Sequence, residues 1–245
     1  MHAVLYLVAL VFGTIWYGST VILAAWFRRP HTRDGVFERS GRRWGRLLLR
    51  AAGVRVSVEG VQHVSRDAAQ IVVANHQSWF DILAVFSALP VEVRFVAKKE
   101  LFAIPFFGTV LASLGHVRLD RTNLKAALAA YQVAASHIRD ERLTVLVFPE
   151  GTRTRTGRLQ PFKSGPFVLA IESGAPVLPV YVAGTFGILP KGSIRVRPSP
   201  VTVMVGEPIP SAGLRIRDRE ALRDRTRAAI ARMRATSVDA VLDAE

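Results

Sequence analysis

The chain contains no cysteine. That removes disulfide bonds, thiolate-ligated metal sites and a cysteine nucleophile together, and it leaves the redox compartment open. Acidic residues are also scarce: 19 Asp and Glu stand against 33 Lys and Arg, a formal net charge of +14. Such an imbalance points to a polyanionic partner, whether nucleic acid, an anionic membrane surface or a phosphorylated substrate. Aromatic residues, at 9%, are too ordinary in number to suggest the stacking platforms of single-stranded nucleic-acid binders. No G-x-S-x-G elbow occurs, so a hydrolase-type covalent intermediate has no obvious nucleophile. No set of His and carboxylate residues has metal-site spacing, and repeats and low-complexity linkers are missing.

What remains is a chain of 245 residues, half of them hydrophobic, which suffices for one sizeable core. A mean hydropathy of +0.25 beside a pI near 11.3 is unusual for a soluble protein, and a membrane reading reconciles the two. Residues 1–27, MHAVLYLVALVFGTIWYGSTVILAAWF, carry no charge apart from what His2 takes up, and are long enough to cross the hydrocarbon layer as a helix. Arg28 and Arg29 end the run. A signal peptide would carry its basic residues before the apolar segment, so that reading is rejected, and the positive-inside tendency puts the rest of the chain on the cytosolic side. Gly13 and the pair Gly18 and Ser19 are expected to permit a kink, which leaves a re-entrant helix open beside a full span. Between Arg28 and Arg50, Trp44, Leu47, Leu48 and Ala51 share one helical face and Arg43, Arg46 and Arg50 another, the pattern of a helix lying among lipid headgroups.

Beyond Gly53, strand-like runs (VRVSVEG, IVVA, VEVRFVAK, HVRL, LTVLVF, VLPVYVAG, SIRVRP, VTVMVG) alternate with helical ones (SWFDILAVFSAL, PFFGTVLASLG, NLKAALAAYQVAASHIRD, FKSGPFVLAIESG). The alternation predicts an α/β fold with a mostly parallel central sheet flanked by helices. The expected organisation is a membrane-anchoring and interfacial segment over 1–52, an α/β domain over 53–213, and an Arg-rich C-terminal helix over 214–245 that packs on or extends the domain.

Ligands of such sheets gather outside the carboxyl ends of the strands. Four clusters fall there: Asn75 to Asp81 (NHQSWFD), Lys98 to Leu101, Asp120 with Arg121, and Pro149 to Arg153. If Ser78 caps a helix starting at Trp79, the Asp81 carboxylate reaches back to His76 and holds its Nδ1 proton, leaving Nε2 as a base for a hydroxyl. Two plainer roles compete: Asp81 as a complement to the helix dipole, and His76 as a loop residue bonded to backbone. FPEGTR at 148–153 offers Gly151 for close backbone approach, the Thr152 hydroxyl and the Arg153 guanidinium for a phosphate. Lys98, Lys163, Arg118 and Arg121 are further cations that together line one anionic pocket, or are separate surface charges.

NHQSWFD and FPEGTR, with APVLPV at 175–180 and VAKKEL leading into IPFFG at 104–108, resemble the motifs of the glycerolipid acyltransferases, most closely the 1-acyl-sn-glycerol-3-phosphate acyltransferases, over roughly residues 55–210. The resemblance implies that His76 deprotonates the free hydroxyl of a lyso-lipid and Asp81 orients it. The hydroxyl would attack the thioester of acyl-CoA or of an acyl-carrier protein. Arg121, Arg153, Lys98 and Lys163 would hold the glycerol phosphate, and Asn75, Glu150, Gly151 and Thr152 would shape the loop and oxyanion region. It further implies no metal or cofactor beyond the acyl donor, membrane lipids and an anionic membrane surface as partners, no nucleic acid, and an active site on the cytosolic face of the membrane. One departure stands out: GHVRLDR at 115–121 puts Arg118 where the family's second motif has an aromatic, which marks Arg118 as a candidate for headgroup selectivity.

Overall fold

The computed structural model describes residues 2–119, 133–193 and 195–243. Arg121, the expected helix before residue 133 and the side chain of Leu119 lie outside them. Seven strands form one sheet in the order β1-β7-β6-β2-β5-β3-β4. They are β1 (Val56–Glu59), β2 (Gln70–Ala74), β3 (Val93–Lys98), β4 (Val117–Leu119), β5 (Thr144–Val147), β6 (Val177–Ala183) and β7 (Val201–Val205). The run from β6 to β4 is parallel; β7 pairs antiparallel with β6, and β1 runs parallel to β7, so these two edge-side strands are reversed.

The helices are α1 (His2–Trp26), α2 (Val36–Ala51), α3 (Phe80–Ala88), α4 (Phe107–Ser113), α5 (133–140), α6 (Gly165–Ser173), α7 (Thr185–Ile188) and α8 (Arg219–Ala235). Strands β2, β5 and β6 are buried along their whole length, as continuous apolar runs in a parallel sheet require. Their alternate side chains build two layers. Val72, Ala74, Leu146, Leu178, Val180 and Val182 pack with Leu48 and Leu49 of α2 and Phe80 and Leu83 of α3. Ile71, Val73, Val145, Val147, Val177 and Tyr181 pack on the other side with Ile138 of α5, Phe167 and Leu169 of α6, and Leu222 and Ile230 of α8.

Three local expectations change. The described part of SIRVRP forms no strand: residues 195–200 are irregular. α1 runs unbroken past Gly13 and Gly18, because these glycines serve close packing. A Cβ at Gly13 would lie 2.8 Å from Leu47 Cδ2, and one at Gly18 would lie 2.8 Å from Phe106 Cζ. The α2 face expected to meet lipid is largely covered by α1 and α3: Leu48 and Ala51 are buried, and Trp44 Nε1 donates to Thr14 Oγ1 at 3.1 Å. The exposed apolar surface lies on α1 instead, where Leu7, Val11, Phe12, Ile15, Trp16 and Leu23 face outward. α1 is the one helix among the described residues long and apolar enough to cross a membrane. Its 25 residues rise about 37 Å against a hydrocarbon layer of about 30 Å.

The connections β2–α3–β3 and β5–α6–β6 leave the sheet in opposite directions, one toward β4 and the other toward β1. A crevice is expected outside the carboxyl ends of strands at such a reversal. β2 and β5 are adjacent there, with Val73 opposite Val147.

Candidate active site

β2 ends at Ala74, and Asn75 continues its pairing by side chain. Its Oδ1 accepts from Val182 N–H at 2.7 Å and its Nδ2 donates to Val182 C=O at 3.0 Å, so this amide is engaged on β6. The register that sets Val73 opposite Val147 puts His76 level with Glu150. The His76 N–H donates to Glu150 Oε1 at 2.8 Å, and its C=O accepts from Thr154 N–H at 2.9 Å. The loop after β5 thereby clamps the backbone of the loop after β2.

The imidazole stacks on Phe148 with ring centroids 4.0 Å apart, and its Nδ1 lies 2.8 Å from Asp81 Oδ2. That oxygen also accepts from the N–H groups of Gln77 (2.7 Å) and Ser78 (2.9 Å), while Oδ1 accepts from Thr185 Oγ1 at 2.5 Å. A carboxylate has about four acceptor positions, and donors occupy them here. His76 Nδ1 therefore carries the ring proton, and Nε2 is the free lone pair, bonded to none of the described residues. Asp81 thus satisfies loop N–H groups and also holds the His76 ring proton. Ser78 sits before the helix as expected: Trp79 is already helical, the Ser78 hydroxyl oxygen accepts from Phe80 N–H at 3.4 Å, and the hydroxyl donates to Leu189 C=O at 2.9 Å. The hydroxyls of Ser78 and Thr185 are thus both engaged in bonds to other groups.

The loop 148–154 turns at Gly151, whose φ of +73° favours glycine. Glu150 is buried; its Oε2 accepts from Gln160 N–H at 3.2 Å and Gln160 Nε2 at 2.9 Å. Burial pushes its carboxyl up to about 7, against the pull of these donors and of His76 N–H. Lys163 runs beside the turn, with its Nζ 3.0 Å from where a Cβ on Gly151 would sit. The Arg153 guanidinium lies over the Trp79 ring, 5.4 Å from its centroid, and Thr152 Oγ1 accepts from Lys191 Nζ at 2.8 Å. The structure thus gathers His76, Asp81, Glu150, Gly151, Thr152, Arg153 and Lys163 at one end of the sheet. Lys98 and Arg118 lie on β3 and β4. At about 4.8 Å per strand these are about 10 and 14 Å from β2. Arg118 pairs with Ala97, which sets it on the opposite sheet face from Lys98. Among the described residues there is no group of three or more side chains suited to a metal ion.

Two features escaped sequence reasoning. One is a cavity of about 760 Å³ between α1, α2, α3 and α4, lined by residues such as Tyr6, Leu10, Trp44, Trp79, Leu83 and Phe86. It begins three residues from His76. The second is a buried polar cluster behind the loop: Gln77, Tyr181, Arg234 and Asp239. Asp239 Oδ2 accepts from Tyr181 Oη (2.7 Å) and Gln77 Nε2 (3.1 Å), and Arg234 donates to Tyr181 Oη (2.9 Å) and Gly157 C=O (2.8 Å). Burial and the adjoining carboxylate push the Tyr181 phenol well above its ordinary value, so it keeps its proton as a donor.

An imidazole with its Nδ1 proton held by a carboxylate and its Nε2 lone pair open is suited to general-base work on a hydroxyl. An acyltransferase family model matches residues 55–183. The chain belongs to that family and, within it, to the 1-acyl-sn-glycerol-3-phosphate acyltransferases. It is 34% identical to such an enzyme of Limnanthes douglasii over 206 residues, covering 84% of this chain and 72% of the relative. The match to the Cocos nucifera enzyme is also 34%, over 84% of this chain and 66% of that protein. Among solved structures, the 1-acyl-sn-glycerophosphate (LPA) acyltransferase PlsC of Thermotoga maritima superposes with a TM-score of 0.78 at 26% identity, covering 96% of this chain and 95% of that one.

Proposed function

We propose that the protein transfers a fatty acyl group from an acyl thioester to the sn-2 hydroxyl of 1-acyl-glycerol-3-phosphate, giving phosphatidic acid. The observation that carries this reading is the His76–Asp81 pair, with Nε2 free and an apolar cavity and a cationic loop beside it. Nε2 takes the proton of the hydroxyl as its oxygen attacks the thioester carbonyl, and Asp81 stabilises the imidazolium that forms. Collapse of the tetrahedral intermediate breaks the C–S bond, and the proton passes from Nε2 to the departing thiolate. Arg153 and Lys163, at the glycine turn, hold the phosphate; Arg121 and Lys98 are the further cations assigned to it. The cavity houses an acyl chain, since a space of about 760 Å³ walled by apolar side chains suits hydrocarbon.

The acyl chains, the exposed apolar side of α1 and the arginines that follow it support a membrane-bound enzyme working at the cytosolic face. Its donor is acyl-CoA or an acyl-carrier protein. Residues 1–52 form the membrane module in this reading, and 53–213 with the C-terminal helix of 214–245 the catalytic part. The test is an acyl-transfer assay on purified protein with a panel of lyso-lipid acceptors. Lysophosphatidic acid is expected to be the best acceptor, and His76→Ala to abolish turnover. Near wild-type turnover by that variant overturns the mechanism. A better acceptor with another anionic headgroup overturns the substrate assignment and points to Arg118.

A further inference from the structure

One oxygen of Asp81 serves His76, and the other is held by a different part of the chain. Oδ2 accepts from His76 Nδ1 at 2.8 Å and from the N–H groups of Gln77 and Ser78, all within five residues of Asp81 itself. These bonds fix the carboxylate against its own loop only. Oδ1 accepts from the Thr185 hydroxyl at 2.5 Å, across 104 positions of sequence, and has no other donor among the described residues. Asp81 and Thr185 are both 0% exposed, so bulk water does not reach this bond. The Thr185 hydroxyl has one proton to give, and its alternative acceptor, Gln77 Oε1, is 3.5 Å away. The proton therefore goes to Asp81.

Thr185 is placed by the sheet and not by the loop it bonds. It opens α7 one residue after β6, a strand buried along its whole length between β2 and β7. The residue between them, Gly184, turns the chain with a φ of +84°, and a Cβ there would lie 2.2 Å from the Pro200 carbonyl oxygen, so only glycine fits. The Gly184 N–H is bonded in turn by the Asp239 carboxylate at 3.2 Å. The χ2 torsion of an aspartate is broad and soft. A donor on a fixed turn narrows it, and with Oδ1 held the direction of Oδ2 is set.

We propose that Thr185 is a positioning residue for the base: its hydroxyl ties Asp81 Oδ1 to the end of β6 and so aims Oδ2 at His76 Nδ1. The inference rests on the reading of His76 as a general base in acyl transfer. A hydroxyl that only satisfied a buried oxygen would support folding, and its removal would act on stability without acting through Asp81. A double-mutant cycle separates the two roles.

Purified full-length protein in detergent micelles is assayed with lysophosphatidic acid and an oleoyl thioester of CoA or of acyl-carrier protein. The wild type is compared with Thr185→Val, Thr185→Ser, Asp81→Asn and the double variant of Thr185→Val with Asp81→Asn. Thr185→Val keeps the shape and removes the hydroxyl; it is expected to lower kcat by roughly 10- to 100-fold, the range of one hydrogen bond to a charged group, with KM nearly unchanged. Thr185→Ser restores the donor and is expected to recover most of that loss. In the Asp81→Asn background Thr185→Val is expected to lower kcat by less than about twofold further, because the group it aims is already gone. A readout without turnover is the rate at which diethyl pyrocarbonate modifies His76, mapped by peptide mass spectrometry against the exposed His137. His76 is expected to react more slowly in Thr185→Val and Asp81→Asn than in the wild type and Thr185→Ser, while His137 reacts equally in all. Wild-type kcat and His76 reactivity in Thr185→Val, a Thr185→Ser variant no faster than Thr185→Val, or a loss that recurs in full in the Asp81→Asn background overturns the proposal. Should Thr185→Val not fold, Thr185→Cys, whose S–H is a weak donor, takes its place with a smaller loss in the same direction. Absence of turnover by the wild type would instead overturn the acyl-transfer reading, and the modification of His76 would still decide the role of Thr185.

Discussion

Replacing Asp239 with alanine is expected to destabilise the protein and slow its chemistry, although the residue lies 163 positions after His76 and touches no substrate. Asp239 and Arg234 are 4% and 3% exposed. The Asp239 carboxylate accepts from Tyr181 Oη and Gln77 Nε2, and the Gly184 N–H reaches both of its oxygens at 3.2 Å. Arg234 in turn donates to the Asp239 carbonyl at 3.1 Å. Removing one charge from a buried, hydrogen-bonded cluster of opposite charges costs about 3–5 kcal/mol. For a chain of this size a loss of 1 kcal/mol lowers Tm by about 2–4 °C, so the expected drop is about 6–20 °C. The kinetic effect follows from Gln77, which stands between His76 and Ser78. Its side-chain carbonyl accepts from Phe186 N–H at 3.3 Å while its amide is held by Asp239. Released, it frees the loop that aims Nε2, so kcat falls and KM changes little. Thermal unfolding in detergent micelles, followed by tryptophan fluorescence, and steady-state kinetics on the same preparation read both effects. A Tm within 2 °C of wild type at unchanged kcat would refute the claim that the C-terminal segment supports the active site.

Asp81→Asn offers an amide where Nδ1–H needs an acceptor and favours the wrong tautomer; kcat is expected to fall by about three to four orders of magnitude. A loss under tenfold in single-turnover rates would rule that role out. Arg153→Ala is expected to raise KM for lysophosphatidic acid by about 10- to 100-fold with a smaller change in kcat, because a charge-assisted bond to phosphate acts in ground and transition state alike. An unchanged KM would move the phosphate site elsewhere. Glu150, held at about 7 against an ordinary 4.5, takes up a proton on folding between those values. Wild-type stability is therefore expected to fall as pH rises from about 4.5 to 7, by about 3 kcal/mol relative to Glu150→Gln, and to level off above. Parallel stability curves for the two proteins would show that the carboxyl does not titrate there.

NHQSWFD and FPEGTR were readable because each is a short segment whose chemistry is local. The parallel sheet was readable for a similar reason, as unbroken apolar runs such as IVVA and TVLV announce strands covered on both faces. SIRVRP misled because alternation describes a side-chain pattern and not a partner. β7 already has β6 on one side and β1 on the other, so the preceding segment has no free edge beside it to join. Gly13 and Gly18 misled because a glycine in a helix marks either a kink or a close contact, and only the neighbours Leu47 and Phe106 decide which. The Gln77–Asp239 bond left no local trace, because it spans 162 residues.

The distance between the two motifs carries information that neither holds alone. β2 and β5 pair with a constant offset of 74 residues from Gln70 opposite Thr144 to Val73 opposite Val147, and His76 N–H bonds Glu150 across the same 74. The motifs are therefore one construction: two neighbouring parallel strands deliver a histidine and a glutamate to the same level at the sheet's carboxyl edge. The side chains beyond that level follow from it, because α3 leaves β2 on one face and returns Asp81 to the imidazole, while the glycine turn after β5 brings Arg153 over Trp79. A shift of one residue in either strand would carry Val73 or Val147 into the opposite apolar layer as well as separating His76 from Glu150. The packing of the core and the alignment of the base are thus set by the same register, so the fold cannot lose one without losing the other.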